Sequence, residues 1–254
     1  MPSIIEENIT KEKPPGHIAV IMDGNGRWAR QRFLNRINGH KKGIEAARDL
    51  VKYCRELGIP YLTLYTFSRE NWMRPAHEVD LLMGLLEAHL KGEEKMMMDN
   101  GIRFRAVGNV SELPSSVRET VAGLEARTSN NAEMTLQLAL SYSGRDEIVH
   151  AAKVIASKAA SGEIKPGDVN EELVSSFLYT AGAPDPDLLI RTSGEKRLSN
   201  FLLWQIAYTE IYIADVLWPD FNRGHLDAAI ADYHSRERRF GLVKAEGTPA
   251  GAAG

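Results

Sequence analysis

The stretch His17-Ile18-Ala19-Val20-Ile21-Met22-Asp23-Gly24-Asn25-Gly26-Arg27-Trp28-Ala29 decides the reading of this chain. Its first half is short, apolar and β-branched, bounded by Pro14-Pro15-Gly16 and Gly24, as suits a buried parallel strand. Its second half turns from strand to helix with a carboxylate, two glycines and a guanidinium at the junction. Gly24 and Gly26 let the backbone approach a phosphate and turn N–H groups toward it, and the helix start adds a partial positive charge. Arg27 supplies bidentate donors. Asp23 would repel the same phosphates unless a divalent cation lay between them, so it argues for Mg²⁺, which takes carboxylate and phosphate oxygens together.

Gly24 to Ala29 also satisfies G-x-G-x-x-A, a dinucleotide fingerprint. That use wants an acid about 20 residues on, at the end of the second strand. The acids near that spacing, Glu45 and Asp49, fall inside a helical pattern, and the second strand ends near Phe67. Diphosphate binding is the better reading.

At 254 residues and 43% hydrophobic, with no linker-like shift in composition, the chain suits one α/β domain over residues 16–243, after an N-terminal extension (1–15) and before a disordered Gly/Ala/Pro-rich tail (244–254). A net charge of −3 offers no global basic field, so no nucleic-acid partner is expected. The single cysteine, Cys54, falls in line with Ala47, Leu50, Val51 and Leu57 and reads as core. Residues 1–16 are too polar for a signal peptide, and Gln205, Glu210 and Asp215 interrupt the apolar stretch 201–218, so no transmembrane segment is expected. The expected compartment is the cytoplasm.

Strands and helices then alternate. Helical spacing runs from Gly39 to Leu57, a strand spans Tyr61 to Phe67, and Pro75 opens a helix carrying Val79, Leu82, Leu86 and Leu90 toward Gly101. Strands are expected at 102–107, 134–140 and 187–191, helices at 113–128, 145–160 and 170–178, and a helix-strand segment at 200–214. The pattern predicts an α/β fold, with a mostly parallel central sheet flanked by helices. Ligands of such sheets lie beyond the carboxyl ends of the strands. Three places there are rich in donors: the opening loop, Ser68-Arg69-Glu70-Asn71-Trp72-Met73-Arg74-Pro75, and Arg191-Thr192-Ser193-Gly194-Glu195-Lys196-Arg197-Leu198-Ser199-Asn200. Together they could hold two diphosphates. Each has a plainer use: Ser199 or Asn200 as the N-cap of a helix Phe201–Ala207, the arginines as partners of surface acids. Glu210, an acid at the start of an apolar strand, suggests either an edge charge or a metal-related role.

These motifs, together with Asn200-Phe201-Leu202-Leu203-Trp204-Gln205 and Trp218-Pro219-Asp220-Phe221, resemble the cis-prenyltransferases, in particular the bacterial undecaprenyl diphosphate synthases, from about residue 16 to 241. The resemblance implies an enzyme that condenses an allylic diphosphate, farnesyl diphosphate above all, with successive isopentenyl diphosphates, using Mg²⁺, to make a long cis-polyprenyl diphosphate that carries cell-wall sugars. It implies that Asp23 is the essential acid near the metal, and that Gly24, Asn25, Gly26, Arg27, Arg36 and His40 hold the allylic diphosphate. Trp28 and Trp72 would flank the substrates. Arg191, Arg197 and Ser199, beside Leu198, would bind isopentenyl diphosphate, with Ser68, Arg69, Glu70, Asn71 and Arg74 nearby. Glu210 would join Asp23 at the metal from the neighbouring subunit of a homodimer, and Arg239 of Arg239-Phe240-Gly241 would reach across the same dimer.

Asn71 is expected near the proton transfer, but a neutral amide is a poor base, so it reads as an orienting or relay group, with Asp23 or the diphosphate as proton acceptor. A long product implies an apolar tunnel walled by helix 79–98 and strand 134–140, and a transient contact with a membrane surface for its release. Several positions depart from the commoner pattern: Lys196, Ser141 and Ser143 of Ser141-Tyr142-Ser143-Gly144-Arg145, Arg69 at a variable place, and Thr66, the last at the expected tunnel mouth, where it would favour a shorter product. A medium- or short-chain synthase and a non-catalytic diphosphate-binding subunit are the alternatives. The second would be expected to lack Asp23 or the arginines, and the chain has both.

Overall fold

Residues 13–236 are described in the computed structural model. Six strands, β1 (His17–Ile21), β2 (Tyr61–Ser68), β3 (Ile102–Val107), β4 (Met134–Tyr142), β5 (Leu188–Arg191) and β6 (Glu210–Ile213), form one sheet in the order β3-β4-β2-β1-β5-β6. Every neighbouring pair is parallel. From β1 the chain first builds outward through β2, then returns to build the other way through β5 and β6. The reversal lies between β1 and β5, and a crevice opens beyond their carboxyl ends.

The helices are α1 (Asn25–Gln31), α2 (Arg36–Glu56), α3 (Ala76–Asp99), α4 (Ser115–Thr128), α5 (Gly144–Ala160), α6 (Glu171–Ser176) and α7 (Arg223–Ser235). Alternate residues of β1 serve opposite faces of the sheet, as a period of two requires. Ile18 and Val20 join the larger core with α2, α3, α4 and α7, where Cys54 is fully buried. Ala19 and Ile21 join a smaller one with Tyr142, Phe201 and Ile206. Helix α5 closes that second side: its buried Glu147 accepts from Tyr142 Oη, from Gln205 Nε2 at 3.1 Å and from the Tyr179 N–H at 2.8 Å.

The elements fall where the periodicity places them, with two differences. Helix α2 starts at Arg36 because the Asn35 side chain caps it, accepting from the Ile37 N–H at 3.3 Å. The helix expected over Phe201–Ala207 does not form; the segment runs as turns with Ser199, Asn200 and Leu202 at positive φ. Tertiary bonds override local propensity there. The Asn200 side chain accepts from the Arg145 N–H at 2.9 Å and donates to Glu70 and Ser143, both at 2.8 Å, while Phe201 stacks on Tyr65 with centroids 4.4 Å apart.

Candidate active site

Asp23 stands two residues past β1 and Arg191 ends β5, so the two flank the crevice. The Arg191 side chain, 3% exposed, donates from Nη2 to Asp23 Oδ2 at 2.9 Å and from Nη1 to Ser199 Oγ at 2.7 Å and to the Arg197 carbonyl. Thr192 Oγ1 accepts from the Asp23 N–H at 2.9 Å and donates to its carbonyl at 2.6 Å, which fixes the backbone under the carboxylate. Arg27, one helical turn on, lies 3.3 Å from Asp23 and 3.0 Å from Glu195, and Glu195 also pairs with Arg197. Asp23 is thus held between two guanidinium groups.

Close backbone approach builds this corner. Gly24 has φ of 116° and caps α1; a Cβ on it would lie 2.6 Å from Ser193 Oγ. Gly39 lets α2 cross α1 so closely that a Cβ there would sit 2.0 Å from the Asn25 carbonyl oxygen.

A second cationic group stands beside the first. Arg36 and Arg74 share Glu78, at 3.4 and 3.1 Å. His40 lies near them, its imidazole lowered to about 4 by burial first and then by the charges of Arg74 and Arg36, with Glu78 opposing. It is therefore neutral at neutral pH. Asn71 uses its side-chain oxygen to accept from the Ser68 N–H at 3.1 Å, leaving its amide NH₂ as the group available to a ligand.

Four buried polar atoms around these groups have no partner within the protein: Asn25 Oδ1, His40 Nε2, Arg191 Nε and Ser193 Oγ. Buried polar atoms are costly to leave unpaired, and such orphans fit a site that a polar ligand completes.

A cavity of about 770 Å³ begins at this polar end and runs between α2, α3 and the sheet. Asp23, Asn25, Arg27, Arg36, His40 and Arg74 line its polar end. Thr66 and Phe67 follow, and the far part is walled by Leu64, Leu82, Leu86, Met97, Leu136 and Leu138. Three arginines of α2 reach toward α3 and the residue that follows it. Arg36 reaches Glu78, Arg48 Nε donates to the buried Glu93 at 2.6 Å, and Arg55 Nε donates to the carbonyl of Asn100 at 2.9 Å.

Asp23, Gly24, Asn25, Gly26, Arg27, Arg36, His40, Ser68, Asn71, Arg74 and Ser199 therefore border one cavity, with Arg191 bonded to two of them. Others lie elsewhere. Trp28 turns outward, donating to Asp220 at 2.8 Å under the Arg32 guanidinium, and Trp72 donates to Ser141 Oγ at 2.8 Å while packing on Phe67. Both indoles donate to partners outside the cavity lining, while the Trp72 ring packs on Phe67, which borders it. Arg69 pairs with Glu112 and Asp146, and with Glu70 it faces a separate hollow beside Asn200. Leu198 packs against the smaller core.

Glu210 is level with Leu188 and Ile18, at the opposite strand end from Asp23 and about 16 Å along the sheet, and it pairs with Arg236 at 2.7 Å. Its own chain does not bring it to Asp23. Arg239 lies outside the described residues. Sequence reading gave no individual role to Thr192, Ser193 and Glu195, which it placed in a donor-rich loop, and passed over Glu78 and Arg30. Glu78 had a signal, the four-residue spacing from Arg74, and Glu195 sat inside a loop already read as donor-rich.

Among the described residues no cluster of three or more His, Cys, Asp or Glu could hold a metal alone. Asp23 with phosphate oxygens and water is a donor set that suits a hard divalent ion.

A family model described as putative undecaprenyl diphosphate synthase matches residues 21–241. The isoprenyl transferase of Geobacter sulfurreducens is 54% identical over 235 residues, 92% of this chain and 96% of that protein. That of Heliobacterium mobile is 50% identical over 240 residues, 94% of this chain and 92% of that one. Among solved structures, lavandulyl diphosphate synthase from Lavandula x intermedia, in complex with dimethylallyl diphosphate, aligns with a TM-score of 0.88 and 38% identity, covering 90% of this chain and 98% of its own. A probable undecaprenyl diphosphate synthase from Campylobacter jejuni aligns with a TM-score of 0.75 and 35% identity, over 91% and 100%. An all-parallel α/β fold with these relatives defines a prenyltransferase. The chain belongs to the undecaprenyl diphosphate synthase family, whose curated members bear the name isoprenyl transferase.

Proposed function

We propose that the protein condenses an allylic diphosphate, with farnesyl diphosphate as primer, with successive isopentenyl diphosphates to form a long cis-polyprenyl diphosphate, undecaprenyl diphosphate for the cell-wall lipid carrier. The observation that carries this reading is the continuity of one cavity, charged around Asp23, Arg27 and Arg36 and lined mainly by apolar side chains beyond Thr66, where the Arg48, His89 and Glu93 cluster is the polar exception. It matches an amphipathic substrate that keeps its diphosphate at the mouth while its hydrocarbon lengthens inward.

In this reading Gly24, Asn25, Gly26, Arg27, Arg36, His40 and Arg74 take the allylic diphosphate, and Arg191, Arg197 and Ser199 take isopentenyl diphosphate. When the allylic C–O bond breaks, the departing diphosphate gains negative charge, which the guanidinium groups and loop N–H donors stabilise as it develops. The isopentenyl double bond supplies the electron pair of the new C–C bond, and its C2 then loses a proton to Asp23 or to the departed diphosphate. Asn71, holding Ser68 through its oxygen, orients the substrate and takes no proton. Mg²⁺, held by Asp23 and diphosphate oxygens, would supply Lewis-acid neutralisation of the leaving charge.

A homodimer belongs to the proposal, because Glu210 can approach only the Asp23 of a second chain. So does a cytoplasmic location. A shorter product is the second reading, favoured by Thr66 on the cavity wall and by the dimethylallyl diphosphate in the lavender relative. Incorporation of labelled isopentenyl diphosphate with farnesyl diphosphate, with and without chelator, tests it. A chelator-sensitive ladder ending near eleven isoprene units supports the first reading and an earlier end the second. No incorporation with any allylic primer overturns both.

A further inference from the structure

The turn between α1 and α2 is built to hold apolar groups in water. Every residue from Arg30 to Arg36 is exposed, and Phe33, 99% exposed, has φ of 55°. A bulky residue in the left-handed region is uncommon, and an aromatic ring fully in solvent more so. The turn is nonetheless closed: the Phe33 N–H donates to the Arg30 carbonyl at 3.2 Å and the Leu34 N–H to the Ala29 carbonyl at 2.9 Å. Phe33 is thus displayed by hydrogen-bonded backbone.

This turn rims the cavity, for Arg30 and Leu34 line it beside Arg27 and Arg36 of its polar end. The Arg36–Glu78 and Arg74–Glu78 pairs bring the start of α3 and the 69–73 turn to the same rim, and both carry exposed apolar tips, Met73 at 88% and Leu81 at 54%. The surround is cationic. From Gly24 to Ile44 there is no acidic residue but there are Arg27, Arg30, Arg32, Arg36, Lys41 and Lys42, in a chain whose net charge is −3. Arg30 and Lys41 have no ion pair among the described residues.

We propose that this rim docks on an anionic lipid bilayer, with Phe33, Met73 and Leu81 entering the headgroup region and Arg30 and Lys41 meeting lipid phosphates. Apolar tips beside a cationic turn match such a surface. A second copy of the chain fits less well, since a two-fold contact would set the cationic segment against itself. The polar end of the cavity then lies at headgroup level, where a released product has lipid phosphates beside its diphosphate and lipid chains beside its hydrocarbon. The purpose rests on the prenyl-product reading, but lipid binding is measured without catalysis, so the two fail separately.

The test is cosedimentation of the full chain with phosphatidylcholine vesicles and with vesicles containing about a third phosphatidylglycerol. The unaltered protein is expected to sediment with the anionic vesicles only. Phe33→Ser with Met73→Ser should weaken that binding by at least about tenfold, with circular dichroism and mass in solution unchanged, and Phe33→Trp should retain it. Absence of sedimentation, equal binding to neutral vesicles, undiminished binding by the double variant, or a fall in its solution mass that marks the patch as a contact between copies would each overturn the proposal.

Discussion

Arg191 Nη2 lies 2.9 Å from Asp23 Oδ2 across the point where the sheet reverses its direction of growth. The two strands that meet there are distant in sequence, and their ends deliver a buried cation and a half-buried anion to one crevice. The pair aims the Asp23 carboxylate while Thr192 holds its backbone. Replacing Asp23 by Ala should lower prenyl transfer by about 10²-fold or more. The fold should survive, because Arg191 keeps Ser199 and the Arg197 carbonyl. Steady-state rates beside circular dichroism decide this; activity near that of the unaltered protein would remove Asp23 from the mechanism.

Binding of diphosphate should take up protons through His40. Its imidazole is held near 4 by burial and by Arg74 and Arg36, and an anion seated on those arginines cancels their repulsion and raises it. Affinity for inorganic diphosphate is therefore expected to rise as pH falls from about 7 toward 5. Calorimetry at pH 6 in buffers of different ionisation enthalpy should register proton uptake, and His40→Gln should abolish it.

The same histidine, with His17, makes the fold sensitive to acid. His17 is also lowered to about 4, by burial, against the upward pull of its bond to the Pro184 carbonyl at 2.7 Å. Both groups bind protons more readily when unfolded. Their contribution is thus fully present above 6.5 and is lost as pH falls from 6.5 through 4. The urea midpoint should drop over that interval, and less steeply in His40→Gln.

Filling the apolar wall should shorten the product. Leu85 lines the cavity on α3 and is partly exposed to it, so Leu85→Trp adds bulk without breaching the core. The product ladder is expected to end one or more isoprene units earlier with the first condensation little changed. An unaltered ladder would detach the cavity from chain length.

Gly39→Ala tests the crossing of α1 and α2. Its Cβ would fall 2.0 Å from the Asn25 carbonyl oxygen, a clash that only movement of the helices relieves. Destabilisation of about 1–3 kcal/mol is expected. A lowered urea midpoint at unchanged slope would confirm it.

Most of the fold was legible in the chain because its strands are buried and β-branched and its helices carry regular apolar spacing. Asp23, Arg27 and the Arg191 loop could be read as a site since their position after strands follows from that pattern alone. What escaped depends on long-range bonds. Nothing local to Phe201–Ala207 announces that Asn200 will tie it to Arg145, Glu70 and Ser143 and prevent a helix. The outward turn of Trp28 depends likewise on Asp220, which comes 192 residues later. Glu195 and Glu78 were missed for a different reason: they balance the site's cations, and a carboxylate that partners an arginine looks in sequence like any surface acid.

The cavity between α2 and α3 leaves space there to be filled by something other than protein. Hydrocarbon entering there is weighed by its length, since each methylene taken from water contributes about 0.8 kcal/mol. On the proposed function a growing chain would therefore be gripped harder after every addition, while the hold on its diphosphate stayed the same. Departure, easy for a short occupant, would slow with each unit, and the reaction would stay processive for as long as there was wall left to cover.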